Sequence, residues 1–148
     1  MRPEAAIALD ELAALAADSC EAYLQAAGWA GPGDLETLLS RLGERRAAMA
    51  RLFEEEVRTL GHLPRDRDTP SGVAHRLLAR LKGSFVSDRP RALVEECERS
   101  DTALAHGLIT VDQRALPEAL AETVRSFHAE VVAALGQLAA VKVRNRGH

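Results

Sequence analysis

The chain lacks the residue pattern that most often builds a metal centre inside a helical bundle. None of its five histidines follows a glutamate or aspartate by three residues, whereas di-iron and di-manganese bundle proteins depend on Glu-x-x-His pairs. A Cys-x-x-Cys pair and a glycine-rich phosphate loop are absent as well. The sequence therefore predicts no catalytic residue and no bound cofactor, and it does not identify an enzyme.

Other scarcities exclude further classes of function. The two cysteines lie far apart in predicted helices. Cysteines in such positions are more often small buried residues of a protein in a reducing compartment than partners in a disulfide. Five scattered aromatic residues form no base-stacking platform, and a net charge of -3 disfavours nucleic acid and acidic membranes. No apolar run is long enough for a signal peptide or a membrane span. We expect a cytoplasmic protein without nucleic-acid or membrane partners.

What the sequence does contain is a series of amphipathic blocks. Hydrophobic residues make up 47% of the chain and recur at steps of three and four, the period of an α-helix. Thr69 and Pro70 predict the start of a short third block, in which Phe85 is the last apolar residue. Glycine and proline clusters separate five blocks, which cover about residues 3–27, 35–60, 70–85, 90–111 and 117 onward.

The lengths of the connections predict the topology. Short turns join the first block to the second and the fourth to the fifth, so each pair is antiparallel. A 26-residue helix is about 39 Å long, and the long connection after the second block is sufficient to return the chain along it. The sequence thus predicts an all-α, up-down-down-up four-helix bundle with a short helix in the long crossover between the second and third long helices. We expect one domain over residues 1–148, with a frayed basic tail at about 143–148.

Several motifs resemble those of an uncharacterised bacterial family of ferritin-like proteins. The resembling segments are Leu60-Gly61, residues 71–76 (SGVAHR) and residues 95–99 (EECER) with the following Asp101. Asp18-Ser19 and Tyr23 lie where that family has an Asp-Gly pair and an aromatic residue. The resemblance implies a ferritin-like four-helix bundle with a connecting helix. It implies no activity, because the family has no assigned function.

Aligning the predicted helices places several charged residues at one level in the bundle. Asp101 lies opposite Glu130, and the apolar face of the second helix requires either Arg45 or Arg46 to point inward. A guanidinium can satisfy two carboxylates there by bidentate hydrogen bonds. We therefore predict a structural polar layer, whose candidate members are Arg45, Arg46, Glu98, Asp101 and Glu130.

Two other interpretations of this level remain open. In the first, the charged side chains are solvated and flank a core that is entirely apolar. Alternatively, a carboxylate-rich site can hold iron or manganese through oxygen ligands, with Glu98, Asp101, His128 and Glu130 as its candidate ligands. The first functional hypothesis is a non-catalytic helical protein that acts as an oligomer or binds an unidentified protein partner. The second is a metal-binding ferritin-like protein with this atypical site.

Overall fold

Most of the described residues lie in helices. The structure is a computed structural model that describes residues 3–64, 72–83 and 86–146, and these ranges contain no β-strand. The all-α prediction is therefore confirmed. Within these ranges five α-helices follow one another: α1 (Pro3–Ala30), α2 (Asp34–Thr59), α3 (Val73–Lys82), α4 (Arg89–Thr110) and α5 (Glu118–Arg146). No helix among these residues has an apolar stretch long enough to cross a membrane.

Backbone chemistry explains where the helices begin and end. Gly31 and Gly33, between α1 and α2, have φ angles of 75° and 146°, and Gly61 after α2 has 81°, values that L-residues with a side chain rarely adopt. Pro90 lies in the first turn of α4, where its missing N–H costs no helical hydrogen bond. The last helix continues to Arg146, into the segment predicted to fray. The predicted start of the third block at Thr69-Pro70 and its last apolar residue, Phe85, lie outside the described residues.

The four long helices pack side by side, with α1 against α2 and α4, and α4 against α5. Helix α4 runs antiparallel to α1, because Asp101 bonds to Ser19 and Tyr23 whereas Gly107 faces Leu12 and Leu15.

Helices α2 and α5 are also antiparallel neighbours. Arg45 bonds to Glu130, while Phe53, eight residues further along α2, meets Phe127 edge to face with ring centroids 5.6 Å apart. Since a short turn joins α1 to α2, helices α1 and α5 run in one direction and α2 and α4 in the other.

The apolar core is divided into two clusters along the bundle axis. One cluster contains the residues of α1 up to Ala16 and those of α4 from Leu104 onward. The other begins at Tyr23 on α1 and ends at Cys97 on α4. Helix α3 closes the second cluster through buried Leu77 and Leu81. The boundary between the clusters falls at the same level on each long helix, and this level holds the polar residues.

Candidate functional site

A fully buried ion pair joins α2 to α4 between the two apolar clusters. Arg46 Nε donates to Asp101 Oδ1 and Arg46 Nη2 donates to Asp101 Oδ2, each over 2.9 Å. Neither side chain is exposed to solvent. Two parallel N–H···O bonds between planar groups are the strongest geometry for this pair, and such a geometry is needed because removing both charges from water is costly.

Two hydroxyl groups of α1 complete the hydrogen bonding of Asp101. Ser19 Oγ donates to Oδ1 over 2.6 Å, and the Tyr23 hydroxyl donates to Oδ2 over 2.5 Å. Each carboxylate oxygen therefore accepts two hydrogen bonds. The guanidinium of Arg46 also lies 5.6 Å from the centroid of the Tyr23 ring, a favourable position for a cation. Three helices thus meet at one carboxylate.

The surroundings fix the protonation states of these groups. Burial, together with the charge of Asp101 and its hydrogen bond, raises the pKa of Tyr23, so the phenol remains a hydrogen-bond donor. Burial alone would lower the pKa of Arg46, but the hydrogen bonds and charge of Asp101 outweigh it, and the pKa is raised overall. Burial also raises the pKa of the Cys97 thiol. The arrangement holds charges in place, and none of these three groups is poised to exchange a proton near neutral pH.

Two buried polar atoms at this level have no hydrogen-bond partner among the described residues. They are Arg46 Nη1 and Ser100 Oγ. An unpaired buried donor costs free energy of about 1–3 kcal/mol. The buried pair is therefore fully satisfied on the carboxylate side but not on the guanidinium side.

A second ion pair lies at the same level but on the surface of the bundle. Arg45 Nε and Nη2 donate to Glu130 Oε1 and Oε2 over 2.6 and 2.9 Å, and the side chains are 51% and 30% exposed. Hydrogen bonding to Arg45, opposed by partial burial, lowers the pKa of Glu130. The charge of Glu130 also acts on Arg46. The sequence left open which arginine points inward, and the structure places Arg46 in the core and Arg45 outside.

The remaining predicted site residues lie apart from the buried pair. Glu98 binds Lys142, with 2.7 Å between Oε1 and Nζ, and His128 is half-buried on α5. Glu98, Asp101, His128 and Glu130 therefore do not converge on a common point. More widely, no three His, Cys, Asp or Glu side chains in the described ranges are grouped so that they could hold a metal ion. Arginine or lysine pairs with three of the four residues, and their assignment as iron or manganese ligands stays a prediction.

A further buried acid, Glu96 of α4, anchors the crossover helix α3. Its Oε1 accepts hydrogen bonds from Arg76 Nε at 3.1 Å and from Arg99 Nη2 and Nε at 2.9 and 3.2 Å. Arg80 Nε lies 3.5 Å from Oε2, close enough for an ion pair but without hydrogen-bond geometry. Burial would raise the pKa of Glu96, but hydrogen bonds from Arg99 and Arg76 outweigh it and lower the pKa.

Sequence reasoning did not assign Ser19, Tyr23 or Glu96 to a site. A usable signal existed for the first two, because they are polar residues four apart in the apolar stripe of α1. For Glu96 the signal is the spacing of Arg76 and Arg80, which share one face of a short helix. The partner of that face lies 20 residues away along the chain, beyond the reach of a periodicity argument.

The outer face of α1 carries a shallow groove. It is lined by Ala17, Cys20, Glu21, Leu24, Gln25, Gly28 and Trp29. Leu24 and Trp29 are 48% and 43% exposed, and the guanidinium of Arg89 lies 6.0 Å from the centroid of the Trp29 ring. An apolar groove edged by charged residues is typical of a surface that contacts another molecule.

No curated protein and no solved structure matches the chain. One family does match over residues 4–112, a range that includes both members of the buried ion pair and Glu96 but ends before α5. Because this match covers well over half of the chain, it establishes the family. The chain belongs to the family described as Domain of unknown function (DUF2383).

Proposed function

We propose that the protein is a non-catalytic, ferritin-like helical-bundle protein that acts by self-association. The up-down-down-up order is supported by the contacts that make α4 antiparallel to α1 and α5 antiparallel to α2. The crossover that contains α3 links the two helices that run in the same direction. This is the connection that a ferritin-like bundle uses.

A structural role for the bundle interior is supported by how its polar groups are paired. Asp101 accepts four hydrogen bonds from three side chains, so its oxygens have little remaining capacity to bind a substrate or a metal ion. Tyr23 and Arg46 are held in their protonated forms. The function of the molecule is then carried by its surface.

The single observation that carries the proposal is the exposure of Leu24 and Trp29 in the groove of α1. Aromatic and large aliphatic side chains that are half-exposed on a helix lose much of their contact with water when a partner covers them. Trp29 is also oriented by Arg89, and tryptophan and arginine are the residue types most enriched at the centres of interfaces.

A second copy of the chain fits this groove because the groove is complementary to itself. It has projecting side chains, Leu24 and Trp29, and small residues, Ala17 and Gly28, and the position of Gly28 is open. Ala17 and Trp29 are 12 residues apart, about 18 Å along the helix. A two-fold axis between them would place the Trp29 of one copy against the Ala17 of the other.

Charge does not oppose such a pairing. The charges of Arg51 and Glu21 both act on Cys20 inside the groove, so the surroundings of the groove carry both signs. Two copies related by a two-fold axis would therefore not meet with like charges alone.

The proposal is tested by sedimentation equilibrium over a concentration series, together with the fluorescence of Trp29, the only tryptophan. We expect a monomer–dimer equilibrium and a shift of the emission to shorter wavelength as the dimer forms. Combining Leu24→Glu with Trp29→Ala should abolish dimerisation, which for that variant is measured by sedimentation alone.

Val132→Glu is the matched control, because Val132 is 49% exposed on α5 and the change introduces the same charge on another helix. It should dimerise like the unaltered protein. A protein that is monomeric at every concentration contradicts the proposal. So does a double variant of α1 that still dimerises.

A further inference from the structure

The crossover helix α3 is attached to the bundle by one narrow face. It is 10 residues long, and isolated helices shorter than about 12–15 residues are marginal in water. Val73, Leu77 and Leu81 are its buried residues, and every other residue of the helix is exposed. Because the three lie four residues apart, they form a single line along the helix, which packs on α1 and α4. Docking on these two helices therefore maintains α3 as a helix.

The contacts among the four long helices do not depend on α3. Helix α1 packs directly against α2 and α4, and α4 packs against α5. Among the described residues, no member of the first apolar cluster belongs to α3, and the buried pair of Arg46 and Asp101 joins α2 to α4 without it. Helix α3 contributes Leu77 and Leu81 to the second cluster. Its departure would uncover that cluster on one side and leave the packing of the long helices in place.

The arginines that pair with Glu96 are of two kinds. Arg76 and Arg80 belong to α3, whereas Arg99 lies three residues after Glu96 on α4 itself. Arg99 donates two hydrogen bonds to Oε1 of Glu96, at 2.9 and 3.2 Å, and Arg76 donates one to the same atom at 3.1 Å. If α3 moved away, Glu96 would keep Arg99 as its partner. Opening would therefore not create an unpaired buried charge, the state that makes breaking a buried ion pair costly.

We propose that α3 is a detachable strap over the second apolar cluster, which opens as a unit while the four long helices stay folded. Glu96 is its latch, and Arg99 is the resident partner of Glu96 that favours release. Arg76 and Arg99 share one carboxylate oxygen, and their positive charges repel each other. Arg76 therefore holds the strap closed, whereas Arg99 weakens that hold. The strap is separate from the groove on α1 and does not depend on self-association.

The test is native-state amide hydrogen exchange on the full chain, followed by NMR at a series of urea concentrations below the unfolding transition. We expect the amides of α3 to be at least about tenfold less protected than those at the centres of α1 and α4. Their exchange should also depend only weakly on urea, because opening of the strap exposes much less surface than unfolding of the bundle.

Two substitutions should change the exchange of α3 in opposite directions. Arg76→Gln should make its amides exchange about threefold faster or more, because the strap loses a hydrogen bond to the buried carboxylate. Arg99→Gln should make them exchange about twofold slower, because Glu96 then pairs with α3 alone. In a cluster that is merely structural, loss of either arginine would loosen α3. Arg76 is the informative position on α3, since Arg80 has further interactions.

Arg45→Gln is the matched control, because it removes the same charge from a half-exposed arginine that pairs with Glu130. Exchange of α3 in this variant should stay within about 1.5-fold of the unaltered protein. Helix content, measured by circular dichroism, verifies that each variant is folded. Equal protection and equal urea dependence in α3 and at the centres of α1 and α4 would overturn the proposal, since the chain would then open as one unit. Faster exchange of α3 in Arg99→Gln overturns it as well, as does an unchanged rate in Arg76→Gln.

Discussion

Arg46 and Asp101, 55 residues apart in sequence, meet as a bidentate ion pair from which solvent is entirely excluded. One level of the bundle thus contains two pairs of the same chemistry in different surroundings, because Arg45 and Glu130 make equivalent bonds on the surface. The comparison separates the effect of burial from that of hydrogen-bond geometry.

Asp101→Ala should destabilise the protein by about 3–5 kcal/mol, because it leaves the guanidinium of Arg46 buried without a counter-charge. Glu130→Ala should cost less than about 1 kcal/mol, since water screens Arg45 when its partner is removed. Urea denaturation followed by circular dichroism gives both free energies of unfolding. Equal losses of unfolding free energy in the two variants would show that burial does not increase the cost of removing the carboxylate.

Tyr23 should make the protein less stable at high pH. Burial and Asp101 raise its pKa above the ordinary value of 10.0. Above about pH 10 the unfolded chain loses the phenolic proton while the folded chain keeps it. The folded state then binds more protons, so stability falls as the pH rises, by up to about 1.4 kcal/mol per pH unit.

Tyr23→Phe should remove this part of the pH dependence, as Tyr23 is the only tyrosine. Its measurement is a set of urea denaturation curves between about pH 8 and pH 11. Burial also raises the pKa values of Cys97 and Cys20 from their ordinary value of 9.0, so both thiols add a fall of the same sign and contribute to the slope that remains. An unchanged slope in Tyr23→Phe is incompatible with a buried, protonated phenol.

The two cysteines should differ in their reactivity toward a thiol reagent. Cys97 is completely buried, whereas Cys20 is partly exposed in the groove of α1. Burial raises the pKa of Cys20 and so slows its reaction, but Ellman's reagent should still modify one thiol of the folded protein in a first, faster phase and the second only after denaturation. Cys20→Ser should abolish the fast reaction, and a fast reaction that persists would place Cys97 nearer the surface.

Two helical glycines should respond in opposite ways to substitution by alanine. A Cβ at Gly136 would meet nothing within 4 Å, while a Cβ at Gly43 would lie 3.1 Å from Tyr23 Cβ. Gly136→Ala should stabilise the protein by about 0.5–1 kcal/mol through helix propensity. Gly43→Ala should destabilise it by about 1–2 kcal/mol, because Tyr23 is fixed by its bond to Asp101 and cannot move away. Thermal denaturation of both variants measures the difference, and a stabilising Gly43→Ala would contradict the close packing of α1 on α2.

Local features of the sequence were sufficient to predict the helices. Glycines such as Gly61 end helices because of backbone conformation, which depends on a few neighbouring residues. The choice between Arg45 and Arg46 could not be made in this way, since both flank the apolar stripe of α2. That choice depends on how α2 packs against α1 and α4, and the apolar period of a single helix carries no information about this packing.

The charged contacts were harder to predict than the level at which they lie. Asp101 and Glu130 were expected at one level of the bundle, and the structure pairs them with two different arginines, Arg46 and Arg45. Glu98 lies three residues before Asp101, about 60° away around the helix, yet it pairs with Lys142 and not with the arginines of α2. The contacts of Glu96 depend on the docking of α3, which no local pattern determines.

The account depends on mutual neutralisation of Arg46 and Asp101, and a double-mutant cycle measures it most directly. Arg46→Met and Asp101→Leu are made singly and together, and the free energy of unfolding of each variant is determined by urea denaturation. Each single change should cost about 3–5 kcal/mol, and the double change should recover at least about 2 kcal/mol of the summed loss, because it removes both charges. Losses that simply add would contradict the account, since the two residues would then stabilise the fold independently of each other.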